Sequence, residues 1–298
     1  MSHVQSPQPL SLPVIPAGGS PRSDPGNTLD ERFAKLEERL DEAVRDGLVV
    51  AFSGGVDSAF LLWAAGRAGG RTGGNVVALT TVSESMPSRD LDDGVRFAED
   101  LGVEHLVEQS AELQDPAYVR NDADRCYHCK AELFRIAERL SSERRMRWIA
   151  YGYSASDRHD VRPGHKAALE NAVLSPLADA GLDKEDIRAL MRRHGLHLAE
   201  KPASPCLSSR IMTGLSISSE QLEDVERMET MLRAGGVKVC RVRVCDARPG
   251  CFLRIEVGPD EMAKVLPLRD QLVGEAQRRG YRWVTLDLAG YRTGGGNA

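Results

Sequence analysis

The chain has 298 residues, enough for one large or two moderate domains with a sizeable buried core. Hydrophobic residues make up 41% and charged residues 28%, which excludes collagen-like, disordered and membrane-embedded chains. Lys and Arg total 39 against 44 Asp and Glu, leaving a net charge of -5 that repels nucleic acid and anionic membranes and puts a tRNA or DNA substrate at a disadvantage.

Residues 1–27 are rich in proline and have neither a basic leader nor an unbroken apolar segment, so they read as a disordered tail on a cytoplasmic protein. The longest apolar stretches, such as 59–65, fall far short of the roughly 20 residues that cross a bilayer. Thr28 and Glu31 form a capping box ahead of Phe33, Leu36, Leu40 and Val44, whose spacing predicts an amphipathic helix ended by Gly47. Leu48–Phe52 is a short apolar run that leads through SGGVDS into the helical AFLLWAA, giving strand, glycine loop and helix. A strand at 76–82, an amphipathic helix at 91–101 and a strand at 105–107 continue the alternation. The Cys126–Cys129 segment then precedes a helix at 131–140, a strand at 148–152 ends in a glycine, and a helix spans 183–193. This order predicts an α/β domain with a parallel sheet over residues 28–210. From 211 to 298 the pattern changes to a helix at 218–233, a strand at 237–245, a turn at 248–250, a strand at 252–257, a last helix and a strand at 283–288. That sequence of elements predicts a smaller α+β domain ending in a frayed GGGN terminus.

The loop Ser53-Gly54-Gly55-Val56-Asp57-Ser58 stands between strand and helix, where backbone N–H groups and the positive helix end can hold phosphate oxygens. It lacks the Gly-Lys-Ser/Thr of a Walker loop, and its Ser and Asp residues suit pyrophosphate and its magnesium instead. The hexapeptide resembles the PP-loop of the ATP pyrophosphatases, a group that includes NAD and GMP synthetases, asparagine synthetase and tRNA thiolases. The resemblance implies activation of a carboxylate or carbonyl oxygen as its adenylate, with Ser53, Gly54, Gly55, Asp57 and Ser58 binding ATP and Mg2+.

Further motifs narrow the group: KPASPCLSSR at 201–210, RCYHCK at 125–130, DVRPG at 160–164 and the closing LDLAGYR. Together with SGGVDS they resemble LarE, a family of ATP-dependent sulfur transferases that help build the nickel-pincer nucleotide cofactor of lactate racemase. The likeness runs from Leu29 to Arg292, and PCLSSR is its most specific part. It implies a small nucleotide substrate, pyridinium-3,5-biscarboxylic acid mononucleotide, whose carboxylates become thiocarboxylates. It also implies a homo-oligomer and a nickel-inserting partner.

In that reading Cys206 holds or delivers the sulfur, with Arg210 beside it. Pro202 and Pro205 predict a shaped loop here, and a thiolate next to Arg210, Ser208 and Ser209 is expected to have a lowered pKa. Cys126 and Cys129, at i and i+3, can grip one metal centre, and Cys206 adds a third thiolate. Members of the family either sacrifice the cysteine's own sulfur or hold a [4Fe-4S] cluster on three cysteines, and the Cys-x-x-Cys pair points to the cluster branch. Zinc with His128 or His159, or a redox pair, are the other readings of that pair. Arg241 and Arg243 alternate on one strand face about 7 Å apart, and by the resemblance they bind the substrate phosphate. Glu229 by the same resemblance belongs to a metal or active-site network. Cys240, on the strand face opposite the arginines, Cys245 and Cys251 match no motif. Two rivals are a PP-loop tRNA thiolase and a nucleotide-binding iron-sulfur or zinc carrier without catalysis.

Overall fold

The computed structural model describes residues 28–159, 163–247 and 250–292. The N-terminal tail, residues 160–162 of DVRPG, residues 248–249 of the expected turn and the GGGN terminus lie outside the described residues. Helix α1 (Leu29–Arg45) begins as the capping box requires: Thr28 Oγ1 accepts from the Glu31 N–H, and the Glu31 carboxylate accepts from the Thr28 N–H at 2.6 Å. Leu36, Leu40, Ala43 and Val44 form its buried stripe, and Gly47, at φ +87°, turns the chain into the sheet.

Strand β1 (Leu48–Ala51) is buried along its whole length, as expected of a central strand covered on both faces. It is followed by α2 (Val56–Thr72), β2 (Val76–Val82), α3 (Ser88–Leu101) and β3 (Glu104–Gln109). The short α4 (Pro116–Val119), the long α5 (Arg125–Arg144) and β4 (Trp148–Tyr151) come next, then α6 (Pro163–Glu170), α7 (Pro176–Asp179) and α8 (Lys184–Arg193). The strands form one parallel sheet in the order β3-β2-β1-β4. The chain therefore steps outward from β1 to β3 and then returns to the other side of β1. That reversal opens a crevice at the carboxyl ends of β1 and β4, where open α/β sheets bind ligands.

The second unit begins at α9 (Ser219–Ala234), capped by Ser218 and Gln221. Strands β5 (Cys240–Asp246) and β6 (Cys251–Val257) pair antiparallel, and α10 (Met262–Val265), α11 (Arg269–Arg278) and β7 (Val284–Leu286) complete it. β7 pairs parallel with β6, giving a three-stranded sheet β5-β6-β7. Its core packs Leu222, Val225, Met228 and Leu232 of α9 against Val242, Val244, Leu253 and Ile255 of the sheet. Tyr118, Leu207 and Ile211 join this same core, so the segment around Cys206 is anchored in the second unit while its neighbours belong to the first.

One expected boundary is corrected. The Cys-x-x-Cys pair does not precede a helix but lies on the first turns of α5, because no glycine or proline separates it from the apolar helical repeat and the helix extends back through it. Among the described residues no helix is long and apolar enough to cross a membrane.

Candidate functional site

The glycine loop leaves β1 directly into the crevice. Gly54 adopts φ +68°, and a side chain there would put its Cβ 2.7 Å from the Asp90 carbonyl oxygen, so only glycine fits. Gly55 caps α2 with extended backbone and no side-chain bond, leaving first-turn N–H groups and the positive end of a 17-residue helix facing the loop. Ser58 Oγ donates to the Gly55 carbonyl at 3.0 Å, accepts from the Ser53 N–H at 3.2 Å and lies 3.1 Å from Ser53 Oγ. On the far side Gly152 follows β4, and a Cβ there would stand 2.6 Å from the Ser58 nitrogen. Backbone therefore walls the loop on both sides, and the arrangement is a preformed anion cradle.

The cysteine loop is brought to the same edge of the sheet. The Leu207 N–H donates to the carbonyl of Ser85, just beyond the end of β2, at 2.7 Å. Guanidinium groups take up most of the loop's carbonyls. Arg241 Nη2 donates to Ala203 O at 3.0 Å, Arg210 Nη1 to Pro205 O and to Cys206 O, Arg125 Nη1 to Ser208 O at 2.9 Å and Arg243 Nη1 to Ser209 O at 3.0 Å. Tyr118 and Ser208 hydroxyls meet at 2.6 Å.

These contacts revise the expected roles of several residues. Arg210 is 1% exposed and pairs through Nε and Nη2 with both oxygens of the fully buried Glu229, at 2.9 and 3.2 Å. It holds the backbone of Cys206 and is not the cation that tunes its thiol. Glu229 also accepts from Arg233 at 2.6 Å and from the Val242 N–H at 3.2 Å. All four of its acceptor sites are taken by protein donors here, so in this structure it braces Arg210, Arg233 and β5. Arg241 and Arg243 do share a strand face, and Cys240 lies in the core on the other. Both, however, are already engaged: Arg241 also reaches the Cys240 carbonyl and stacks over Tyr291 at 5.0 Å, while Arg243 pairs with Glu256 at 2.6 Å. Arg243 and Arg254 share that Glu256 oxygen at the edge of a shallow cleft with Ser209, Met212 and Cys245.

All six cysteines are free; Cys126 is exposed and Cys129 and Cys206 are partly buried. Burial pushes the Cys206 thiol up, opposed by the Arg125 guanidinium and reinforced by Cys126 and Glu112. The expected lowering is therefore reversed, because desolvation of a thiolate outweighs one guanidinium. Burial and the Glu112 carboxylate push Cys129 well above the ordinary range, with Cys206 adding to the effect. The charge of Cys126 bears on the Cys206 thiol, and that of Cys206 on Cys129. Among the described residues, no three His, Cys, Asp or Glu side chains are gathered as a metal site.

Three contributors were missed in the sequence. Arg125 adjoins the Cys-x-x-Cys pair and is anchored by Asn121 Oδ1; its place in RCYHCK was the available signal. Glu112, 4% exposed, accepts from Ser83 and Ser85 hydroxyls, and nothing local in the sequence marks it. Tyr118 reaches the site only because α4 folds under the loop.

Comparison with known proteins fits this geometry. Residues 28–208 match the NAD synthase family. A pyridinium-3,5-bisthiocarboxylic acid mononucleotide synthase of Lactiplantibacillus plantarum is 32% identical, over 90% of this chain and 94% of its own. The chain belongs to the LarE family of PP-loop enzymes. An uncharacterised protein of Synechocystis is 36% identical over 89% of this chain and 97% of its own. An NH3-dependent NAD+ synthetase of Methanopyrus kandleri is 42% identical over 78 residues, 26% of this chain. LarE membership makes this an ATP-using enzyme with Mg2+ as the companion of the nucleotide.

Gly54→Ala and Gly152→Ala each push a methyl into backbone, and each is expected to weaken MgATP binding by about tenfold or more with native circular dichroism, measured by titration calorimetry. Arg210→Met removes a buried partner of Glu229, though Arg233 remains, and leaves the Pro205 and Cys206 carbonyls without their donor, so it should cost about 2–4 kcal/mol in urea unfolding, with Arg210→Lys recovering only part of the loss. The rate of Cys206 alkylation should climb with pH to a midpoint above that of free cysteine, and Arg125→Met should move the midpoint higher still.

Proposed function

We propose that this protein is an ATP-dependent sulfur transferase that adenylates the carboxylates of pyridinium-3,5-biscarboxylic acid mononucleotide and converts them to thiocarboxylates. The observation that carries the reading is the placement of Cys206: its loop is pinned to the Ser85 carbonyl at the carboxyl edge of the sheet that also bears the ATP loop. Likeness to the Lactiplantibacillus synthase supports the substrate.

In this reading residues 28–210 form the ATP domain and 211–298 the substrate-binding domain. Gly54, Gly55 and the start of α2 receive the phosphates, while Ser53, Asp57 and Ser58 serve the pyrophosphate and its magnesium. A substrate carboxylate oxygen attacks the α-phosphorus, pyrophosphate leaves, and an acyl-adenylate forms. Arg241 and Arg243 on β5 address the substrate phosphate, Arg243 from the rim of the cleft it shares with Arg254. The Cys206 thiolate then attacks the acyl carbon, AMP leaves, and a thioester links substrate and protein. Loss of the Cys206 α-proton breaks its Cβ–S bond, giving the thiocarboxylate and dehydroalanine.

The resemblance to family members that hold a cluster on three cysteines, with Cys126 and Cys129 on the first turns of α5, supports a second source of sulfur. Cys126, Cys129 and Cys206 would hold a [4Fe-4S] cluster, leaving one iron open for an extra sulfide that would be the sulfur for transfer and spare the cysteine. A homo-oligomer and a nickel-inserting partner that takes the thiocarboxylate product complete the proposal. The net charge of -5 weighs against tRNA as the substrate.

Intact-protein mass spectrometry before and after turnover with MgATP and the biscarboxylated mononucleotide tests the reading. Loss of hydrogen sulfide at Cys206 with thiolated product establishes the sacrificial route. Thiolated product with Cys206 intact establishes the cluster route. Pyrophosphate release that depends on tRNA, with no thiolated mononucleotide, overturns the proposal in favour of a tRNA thiolase. MgATP binding without any pyrophosphate release leaves a nucleotide-binding carrier.

A further inference from the structure

We propose that Asp90 is a positioning residue that joins the ATP loop to the cysteine loop, so that occupancy of the phosphate cradle is transmitted to Cys206. Asp90 lies in the first turn of α3 and is 4% exposed. Its two polar ends face different loops. The main-chain carbonyl presses on Gly54, leaving no room for even one methyl group. The carboxylate faces away and holds the approach to Cys206: Oδ1 pairs with Lys201 Nζ at 2.9 Å, and Oδ2 accepts from Ser204 Oγ.

The Lys201 end is built as tightly. Lys201 is 8% exposed, its ammonium also meets Asp93 at 3.0 Å, and its carbonyl accepts from Arg188 Nη2 at 2.9 Å. A buried ammonium cannot drift from its carboxylates without a large desolvation cost. Lys201 and Ser204 precede Cys206 in the same proline-stiffened loop. Gly54 therefore cannot shift toward or away from a bound phosphate without altering its contact with a residue whose other end holds the cysteine loop. α3 is steadied at this point by the Ser88 N–H and hydroxyl, which donate to Glu226 of α9 at 2.7 and 2.8 Å. The first turn of α3 is thus tied to the second unit as well as to both loops.

The inference rests on the proposed seating of ATP at Ser53–Ser58 and does not depend on the identity of the second substrate. The test is the rate of Cys206 alkylation by iodoacetamide, followed by peptide mass spectrometry on the full chain with and without MgATP. In the native protein MgATP is expected to change the rate by about fivefold, the lower end of ordinary coupling between sites. Ser204→Ala removes one hydroxyl and leaves the Asp90–Lys201 pair, and it should cut the response to less than about half while MgATP affinity stays within about threefold. Asp90→Asn combined with Lys201→Gln, which deletes both buried charges together, should abolish the response. Ser209→Ala, which loses the hydroxyl bond to the Cys206 carbonyl but does not touch Asp90, should alter the basal rate and keep the response. A full MgATP response in Ser204→Ala and in the double variant overturns the proposal. So does a native protein that binds MgATP with no change at Cys206. Failure of the native protein to bind MgATP at all overturns the functional reading, and this proposal with it.

Discussion

The carbonyl oxygens around Cys206 need donors that the loop's own backbone does not provide. Pro202 and Pro205 deny it the N–H groups and the geometry of a helix or a paired strand, yet Leu207, Ser208 and Arg210 are all buried, and buried carbonyls must be satisfied. Arginines from four places in the chain supply the bonds: Arg125 on α5, Arg210 from the loop itself, and Arg241 and Arg243 on β5. The buried Arg210–Glu229 pair is the part of this clamp least exposed to water. Such a pair adds little net stability, but once built it tolerates few alternative geometries. The position of Cys206 therefore depends on α9 and β5 as much as on its own segment.

That dependence explains why two hydrophobic cores flank one reactive centre. The parallel sheet fixes where the glycine loop stands, because β1 and β4 flank the reversal of strand order. The three-stranded sheet fixes where the thiol stands, because Leu207 and Ile211 are embedded in its core. Neither unit alone fixes both the glycine loop and the cysteine loop. Bringing them together needs the contacts between units, among them Ser88 with Glu226 and Leu207 with Ser85. Proximity of this kind lets a second nucleophile meet an activated acyl group before water does.

Features that depend on neighbours in sequence were legible. The Thr28–Glu31 capping box, the strand–glycine loop–helix unit and the alternation that yields a parallel sheet all rest on short-range spacing. The choice of partners across the chain was not. Adjacency in PCLSSR placed Arg210 beside the thiol, whereas its side chain turns to Glu229 on α9. The cation near the thiol is Arg125, which reaches Ser208 across 83 positions of sequence. The same limit applies to Arg241 and Arg243: strand periodicity gave their shared face, but not that loop carbonyls, Glu256 and Tyr291 already claim them. Glu112 was invisible because its function comes from burial against Ser83 and Ser85, which only the folded sheet creates.

Burial of the thiol has a consequence for its chemistry. Desolvation keeps Cys206 protonated in the resting protein, with Glu112 and Cys126 adding to that effect and Arg125 resisting it. A neutral buried thiol reacts slowly with oxidants and stray electrophiles. Whatever removes the proton must bring a charge of its own or change the balance between Arg125 and Glu112. That balance is set at the carboxyl edge of the sheet, where Leu207 bonds to Ser85 and Ser85 to Glu112, close to the end of the strands that also carry the glycine loop. A permanently ionised cysteine would be the stronger nucleophile, but it would also react with any electrophile that reached it, whereas a thiol raised by burial waits for a change in the charges around it.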